Sequence, residues 1–203
     1  MNMHAMAGPI PRVHVWAPRA SRGGSAVIGQ RLRALLLACA ALVAVQPGPA
    51  AASPALPEFT HAAAGDWLNS PPQRAAQLRG HPVLLEFWAF DCSNCLASVP
   101  WMHAAAAHYR GRGLTIVGVH TPELALEYHH DAVRAAVARL RIDYPVMIDD
   151  DYSYWRALDN HYWPAFYLYD AAGHLVASHV GELHVGEPQS DGFEKLVERS
   201  LGP

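Results

Sequence analysis

The sequence predicts an α/β fold: a central mixed sheet, largely parallel, with helices on both faces. Three observations carry this. Short apolar runs alternate with longer helical stretches, the pattern of buried strands joined by helical crossovers. The last two strand-like runs flank Ala171-Ala-Gly-His174, a hairpin signal that adds an antiparallel edge. Hydrophobic residues make up 51% of the 203 and charged residues 16%, which suits a sizeable core and excludes a disordered chain.

The elements follow in order. Residues 53–81 are Pro- and Ala-rich, with helix potential only around Pro72 to Leu78. Pro82 to Trp88 is apolar except for one acid and short enough for a buried strand. Cys92 to Arg110 reads as a helix, with Pro100 inside it as a kink. Leu114 to His120 is a second buried strand, and Glu123 to Arg141 an Ala-rich helix. Tyr144 to Asp149 is a third strand, and Tyr152 to Leu158 a short helix. Ala165 to Asp170 and Leu175 to Val180 form the hairpin, and Phe193 to Leu201 closes the chain as a helix.

The N-terminal quarter differs in character. Five of the 15 basic residues and none of the 18 acidic ones lie in residues 1–52, which leaves residues 53–203 with a net charge of −8. A body that acidic is a poor match for nucleic acid, whose phosphates need a basic face. Arg31-Leu-Arg33, the twelve uncharged residues Ala34 to Val45, and Ala50-Ala51-Ala52 have the form of a secretory signal peptide. The apolar run is short for a membrane span, which needs roughly 20 residues. The expectation is export to the periplasm or beyond, cleavage near Ser53, and a mature domain from 53 to 203. An uncleaved anchor is the alternative. The stretch before Arg31 is longer than a signal needs, which fits translation starting nearer Val27.

Of the three cysteines, Cys39 would leave with the signal, and Cys92-Ser-Asn-Cys95 would remain. The pair follows a buried strand and opens a helix. Cysteines at i and i+3 in a first turn can close a small disulfide ring. The helix N-terminus, with its unpaired N–H groups and dipole, favours a thiolate at the first. A zinc site would want a second Cys or His pair at ligand spacing, and the sequence supplies none.

Glu86-Phe-Trp-Ala-Phe-Asp-Cys92-Ser-Asn-Cys95, Pro100, and Trp163-Pro164 before an apolar strand together resemble the thioredoxin superfamily. Gly118-Val-His-Thr-Pro122, Tyr144-Pro145-Val146 and Asn160-His-Tyr-Trp-Pro164 are similar to segments of its secreted TlpA/ResA-like branch, and most of all to the soluble domain of DipZ-type proteins. The resemblance runs from about residue 65 to 200. It implies a thioredoxin-like fold with an inserted strand–helix unit, for which the 72 residues from Cys92 to Pro164 leave room between Thr121 and Asp149. It also implies roles. Cys92 would be the exposed attacking thiolate and Cys95 the resolving thiol of a Cys92–Cys95 redox disulfide. Glu86 would be a buried proton acceptor for Cys95, and Pro164 a cis-proline facing the pair. Trp88, Phe90 and Trp163 would border the substrate surface, with Trp88 equally suited to the core.

The implied function is extracytoplasmic thiol–disulfide exchange with protein thiols or disulfides, in the reductive direction, with a membrane-embedded electron donor. No cofactor, metal or specific small-molecule ligand is expected. Two other classes remain open to a chain of this pattern. A peroxiredoxin-like thiol peroxidase needs a Thr or Ser three residues before its cysteine and a Pro seven before, where this chain has Ala89 and Leu85. A copper carrier would pair the cysteines with one of the eleven histidines after residue 53, but such relatives space their cysteines one residue further apart. Asp149-Asp150-Asp151 reads as an acidic turn.

Overall fold

A computed structural model describes residues 53–202. The expected signal segment, 1–52, lies outside the described residues. Six strands form one sheet: β1 (Trp67–Leu68), β2 (Val83–Trp88), β3 (Thr115–His120), β4 (Val146–Ile148), β5 (Ala165–Tyr169) and β6 (Leu175–Val180), in the order β1-β4-β3-β2-β5-β6. The helices are α1 (Ala75–Leu78), α2 (Ser93–Tyr109), α3 (His130–Arg139), α4 (Ser153–Ala157) and α5 (Pro188–Leu201). Among the described residues no helix is long and apolar enough to cross a membrane.

Helices cover the sheet as expected, but the pairing is less parallel than expected. β2–β3 and β3–β4 are parallel, whereas β1–β4, β2–β5 and β5–β6 are antiparallel. A parallel return needs a crossover of a dozen or more residues that travels the length of the sheet. α2 and α3 supply two of these. Between β4 and β5 the chain has only the five-residue α4 and stays at one end of the sheet. β5 therefore enters where β2 leaves, with Ala165 opposite Phe87. That end also carries the cysteines.

Three elements differ from the sequence reading. β1 is two residues long, too short for periodicity to reveal. It is held beside β4 partly by the Asn69 side-chain amide, which donates to the carbonyls of Ile142 (2.9 Å) and Tyr144 (3.0 Å). α5 begins at Pro188, five residues early, because proline suits the first helical turn, where its missing N–H is not needed. The expected helix from 123 to 141 is broken into a 3₁₀ turn, Ala125–Tyr128, and α3, with His129 extended between them. The break has a local cause. Glu127 folds back and accepts the backbone N–H groups of Glu123 and Leu124, at 2.7 and 2.8 Å.

β2 organises the core by strict alternation. Val83, Leu85 and Phe87 join Phe59, Trp67, Val117, Val119, Met147 and Tyr154 on one face. Leu84 and Trp88 join Trp101, Met102, Ile116, Val133, Phe166 and Phe193 on the other, beneath α2, α3 and α5. Each such large side chain contributes roughly 1.5–3 kcal/mol on burial. Glu86 falls between Leu84 and Trp88 on the α2 face by the same alternation, and is 2% exposed.

Candidate active site

Cys92 is the N-cap of α2. Its backbone is extended, and its sulfur accepts the N–H of Cys95 at 3.2 Å. The two cysteines are disulfide-bonded, with Cα atoms 5.3 Å apart. On reduction, the Cys92 sulfur would sit where a helix offers unpaired N–H groups and its positive end, the setting that favours a thiolate. The accessibility order agrees with the expected roles, with Cys92 8% exposed and Cys95 1%. Yet Cys92 is a sliver of surface, not the open nucleophile that the sequence reading expected. α2 runs unbroken through Pro100.

Glu86 is sealed under this helix. Its one side-chain partner is the Tyr144 hydroxyl, which donates to it at 3.0 Å. Burial pushes its carboxyl up to about 8, and the Tyr144 hydrogen bond offsets this only in part. The proximity of Glu86 adds to burial in driving the Tyr144 phenol well above its usual value. A carboxyl that gains and loses its proton near neutral pH is suited to proton transfer.

The Trp163–Pro164 peptide is cis, and Pro164 is buried directly before β5. Trp163 is half-buried, packs on Trp155 at 4.1 Å between ring centroids, and donates from its indole to the Thr121 carbonyl at 3.0 Å. Of the other two aromatics, Trp88 takes the core alternative left open for it, and Phe90 corrects the sequence reading. Trp88 is 2% exposed and Phe90 7%, so neither offers a surface to a substrate. Both instead pack against His120, with ring centroids 5.1 Å (Trp88) and 5.6 Å (Phe90) away. Strand alternation places Trp88 inward, and apolar neighbours keep it there.

Sequence reasoning missed two groups beside the pair. His120 is fully buried, opposite Trp88 in the parallel register, and neither ring nitrogen has a partner. Desolvation holds its imidazole down at about 3, so it is neutral near pH 7. Glu127 is also fully buried, and besides Glu123 and Leu124 it accepts the N–H of Asp91 at 2.8 Å. Asp91 immediately precedes Cys92. His120 was hidden in a strand-like run and Glu127 in a helix-like one. The only sequence signal was a charged or titratable residue inside an otherwise apolar stretch.

The acidic turn is also more than a turn. Asp149 is fully buried and accepts the N–H groups of Tyr154 and Trp155, both at 2.9 Å, and the Thr121 hydroxyl at 3.2 Å. It caps α4. His61, Asp149 and Asp151 form the one cluster of metal-ligand type among the described residues, and the His61 ring lies 3.2 Å from both carboxylates. These side chains satisfy one another and the start of α4, at the sheet end where β4 leaves.

The redoxin family model matches residues 50–196. The chain belongs to the redoxin family. This redoxin is 39% identical over 138 residues to the protein DipZ of Mycobacterium tuberculosis (strain CDC 1551 / Oshkosh), a match covering 66% of this chain and 19% of that protein. The chain thus spans about a fifth of that relative's length. It is 29% identical over 120 residues to the thiol-disulfide oxidoreductase YkuV of Bacillus subtilis (strain 168), covering 59% of this chain and 79% of the relative. Among solved structures, a thioredoxin-like protein in its oxidised form superposes with a TM-score of 0.62 and 28% identity, over 73% of this chain and 95% of that one. The fold is thioredoxin-like, and the matched region carries the Cys92–Cys95 disulfide at the start of α2.

Proposed function

We propose that this redoxin reduces disulfides of partner proteins outside the cytoplasm. The observation that carries the reading is the Cys92–Cys95 disulfide at the start of α2, above the buried Glu86. In the reduced protein, the Cys92 thiolate attacks a partner disulfide, forming a mixed disulfide and expelling one partner thiolate, which takes up a proton. Cys95, giving its proton to Glu86, then attacks the Cys92 sulfur. The Cys92–Cys95 bond closes and the second partner thiol leaves. Two electrons pass to the partner, and a dithiol donor in the membrane restores the reduced pair.

The direction follows from charge. Ser93 and Asn94, between the cysteines, are uncharged, so nothing cationic inside the motif stabilises a thiolate. Exposed Asp91 adjoins Cys92, and the Glu127 carboxylate lies against the Asp91 N–H. Negative charge beside a sulfur disfavours its thiolate and so favours the disulfide. A protein whose disulfide is relatively stable gives electrons away. Equilibration with glutathione buffers tests this. A potential at or below ~−180 mV supports a reductant, and one near ~−120 mV, the value of a strong oxidant, refutes it. The extracytoplasmic location rests on the apolar, acid-free N-terminal segment. Intact-mass analysis of the native protein should find it beginning between about residues 48 and 55.

A further inference from the structure

The segment Leu124–Tyr128 is built inside out. Its one charged member, Glu127, is fully buried, while Leu124, Leu126 and Tyr128 are 48%, 58% and 47% exposed. Water drives the opposite arrangement, since burying leucine is favourable and burying a carboxylate is costly. The inversion holds because three backbone N–H groups, from Asp91, Glu123 and Leu124, converge on the Glu127 carboxylate. One of the three belongs to the residue before Cys92. The carboxylate that shapes the turn therefore also ties it to the redox pair. On its other side, the Tyr152 hydroxyl donates to the Pro122 carbonyl, and the Trp163 indole donates to the Thr121 carbonyl. Next to Trp163 stands Tyr162, 60% exposed. Of the seven large apolar residues exposed among the described residues, four (Leu124, Leu126, Tyr128 and Tyr162) thus lie on two loops joined at the cysteine end of the sheet.

We propose that this rim is a docking surface for the partner protein, and that it takes an apolar segment flanking the partner's reacting cysteine. The proposal rests on the thiol–disulfide reading above and names what that site selects. Continuity with the sulfur identifies the occupant. Cys92 is 8% exposed, so a partner sulfur reaches bonding distance only if the partner's backbone lies against the bordering loops. Those loops present leucine and tyrosine. Exposed Asp91 and Glu123 at their edge disfavour an acidic flank by like-charge repulsion. A small disulfide reaches the same sulfur without spanning the rim.

The test uses the reduced protein and three oxidants: glutathione disulfide, and two disulfide peptides of equal length whose cysteines are flanked by Leu and Phe or by Ser and Gly. The wild type should oxidise on the apolar peptide about tenfold faster than on the polar one, the discrimination that a modest apolar contact gives. The double variant Leu124→Ser/Leu126→Ser changes only exposed side chains. It should lose that preference and react with glutathione disulfide at the wild-type rate. Equal wild-type rates on the two peptides would overturn the proposal, as would a preference that survives in the double variant. An equal slowing with glutathione disulfide would also overturn it, because the loop would then act on the cysteines and not on the partner. A wild-type protein that exchanges with none of the three would refute the redox reading itself, a separate outcome.

Discussion

Replacing Glu86 by Gln should remove a slope in the pH dependence of stability. Glu86 is 2% exposed, has the Tyr144 hydroxyl as its one side-chain partner, and is pushed from an ordinary 4.5 to about 8 by burial. Below pH 4.5 the carboxyl is protonated in both folded and unfolded chains, and the full stability is present. Between 4.5 and 8 the folded protein keeps a proton that the unfolded chain has released. Stability therefore falls as pH rises, and the loss is complete once pH passes through the folded value. At about 1.4 kcal/mol per pH unit the whole loss is roughly 5 kcal/mol, of which roughly 4 falls between pH 5 and 8.5. That is a large part of the 5–15 kcal/mol that a typical domain has. Gln is nearly the same size and does not titrate. Any cost of fitting its amide shifts the whole curve without tilting it. The assay is urea unfolding of the oxidised wild type and Glu86→Gln across this range. Wild-type stability should fall relative to the variant by roughly 4 kcal/mol. Parallel curves would show that Glu86 ionises in the folded protein as freely as in the unfolded chain, and the burial argument would collapse.

Three further outcomes are expected. Cys95→Ala should accumulate mixed disulfides through Cys92 on non-reducing gels, because no second thiol releases the partner. If Cys92→Ala traps partners instead, the assignment is reversed. Glu86→Gln should slow the resolving step near neutral pH by about 10²-fold, the lower end for a general base, as read by stopped-flow fluorescence. An unchanged rate–pH profile would remove Glu86 from the mechanism. Burial depresses His120 to about 3, so its folded form stays neutral where the unfolded chain gains a proton. Stability should thus be lost as pH falls from 6.5 toward 3. His120→Phe, which keeps the packing on Trp88 and Phe90, should flatten that acid limb in thermal melts.

The sequence announced what depends on order along the chain. Strand, Cys-x-x-Cys and helix are consecutive, so the place of Cys92 at a helix start followed from local rules alone. Glu86 was legible for the same reason, since apolar residues on both sides of a strand position leave an acid nowhere to go. What depends on convergence was hidden. β1 is stabilised by β4, some eighty residues away, and by the Asn69 amide, so its two residues carry no pattern of their own. Glu127 was hidden within the expected Ala-rich helix because its partners include a backbone N–H 36 residues earlier. The resemblance implies that Phe90 borders the substrate surface, and it leaves Trp88 open between surface and core. Strand alternation places Trp88 inside, edge-on to His120, and Phe90 is buried by stacking on the same ring.

Two buried carboxylates thus come from different elements, and their surroundings assign them opposite work. Glu86 comes from β2, amid Leu84 and Trp88, and receives one hydrogen bond, from a phenol. Little stabilises its charge, so its pKa rises to about 8 and its ionised form is a base strong enough to take a thiol's proton. Glu127 comes from the 3₁₀ turn after β3 and receives three backbone N–H groups on its two oxygens. Those donors use its acceptor capacity in fixing a turn, leaving it a positioning residue for Asp91 and the rim. The same side chain can serve proton transfer or architecture, and the number of donors aimed at it decides which. Exchanging the environments would exchange the roles. A donor added beside Glu86 would lower its pKa and weaken it as a base. A donor removed from Glu127 would loosen the rim while leaving the sulfur chemistry in place.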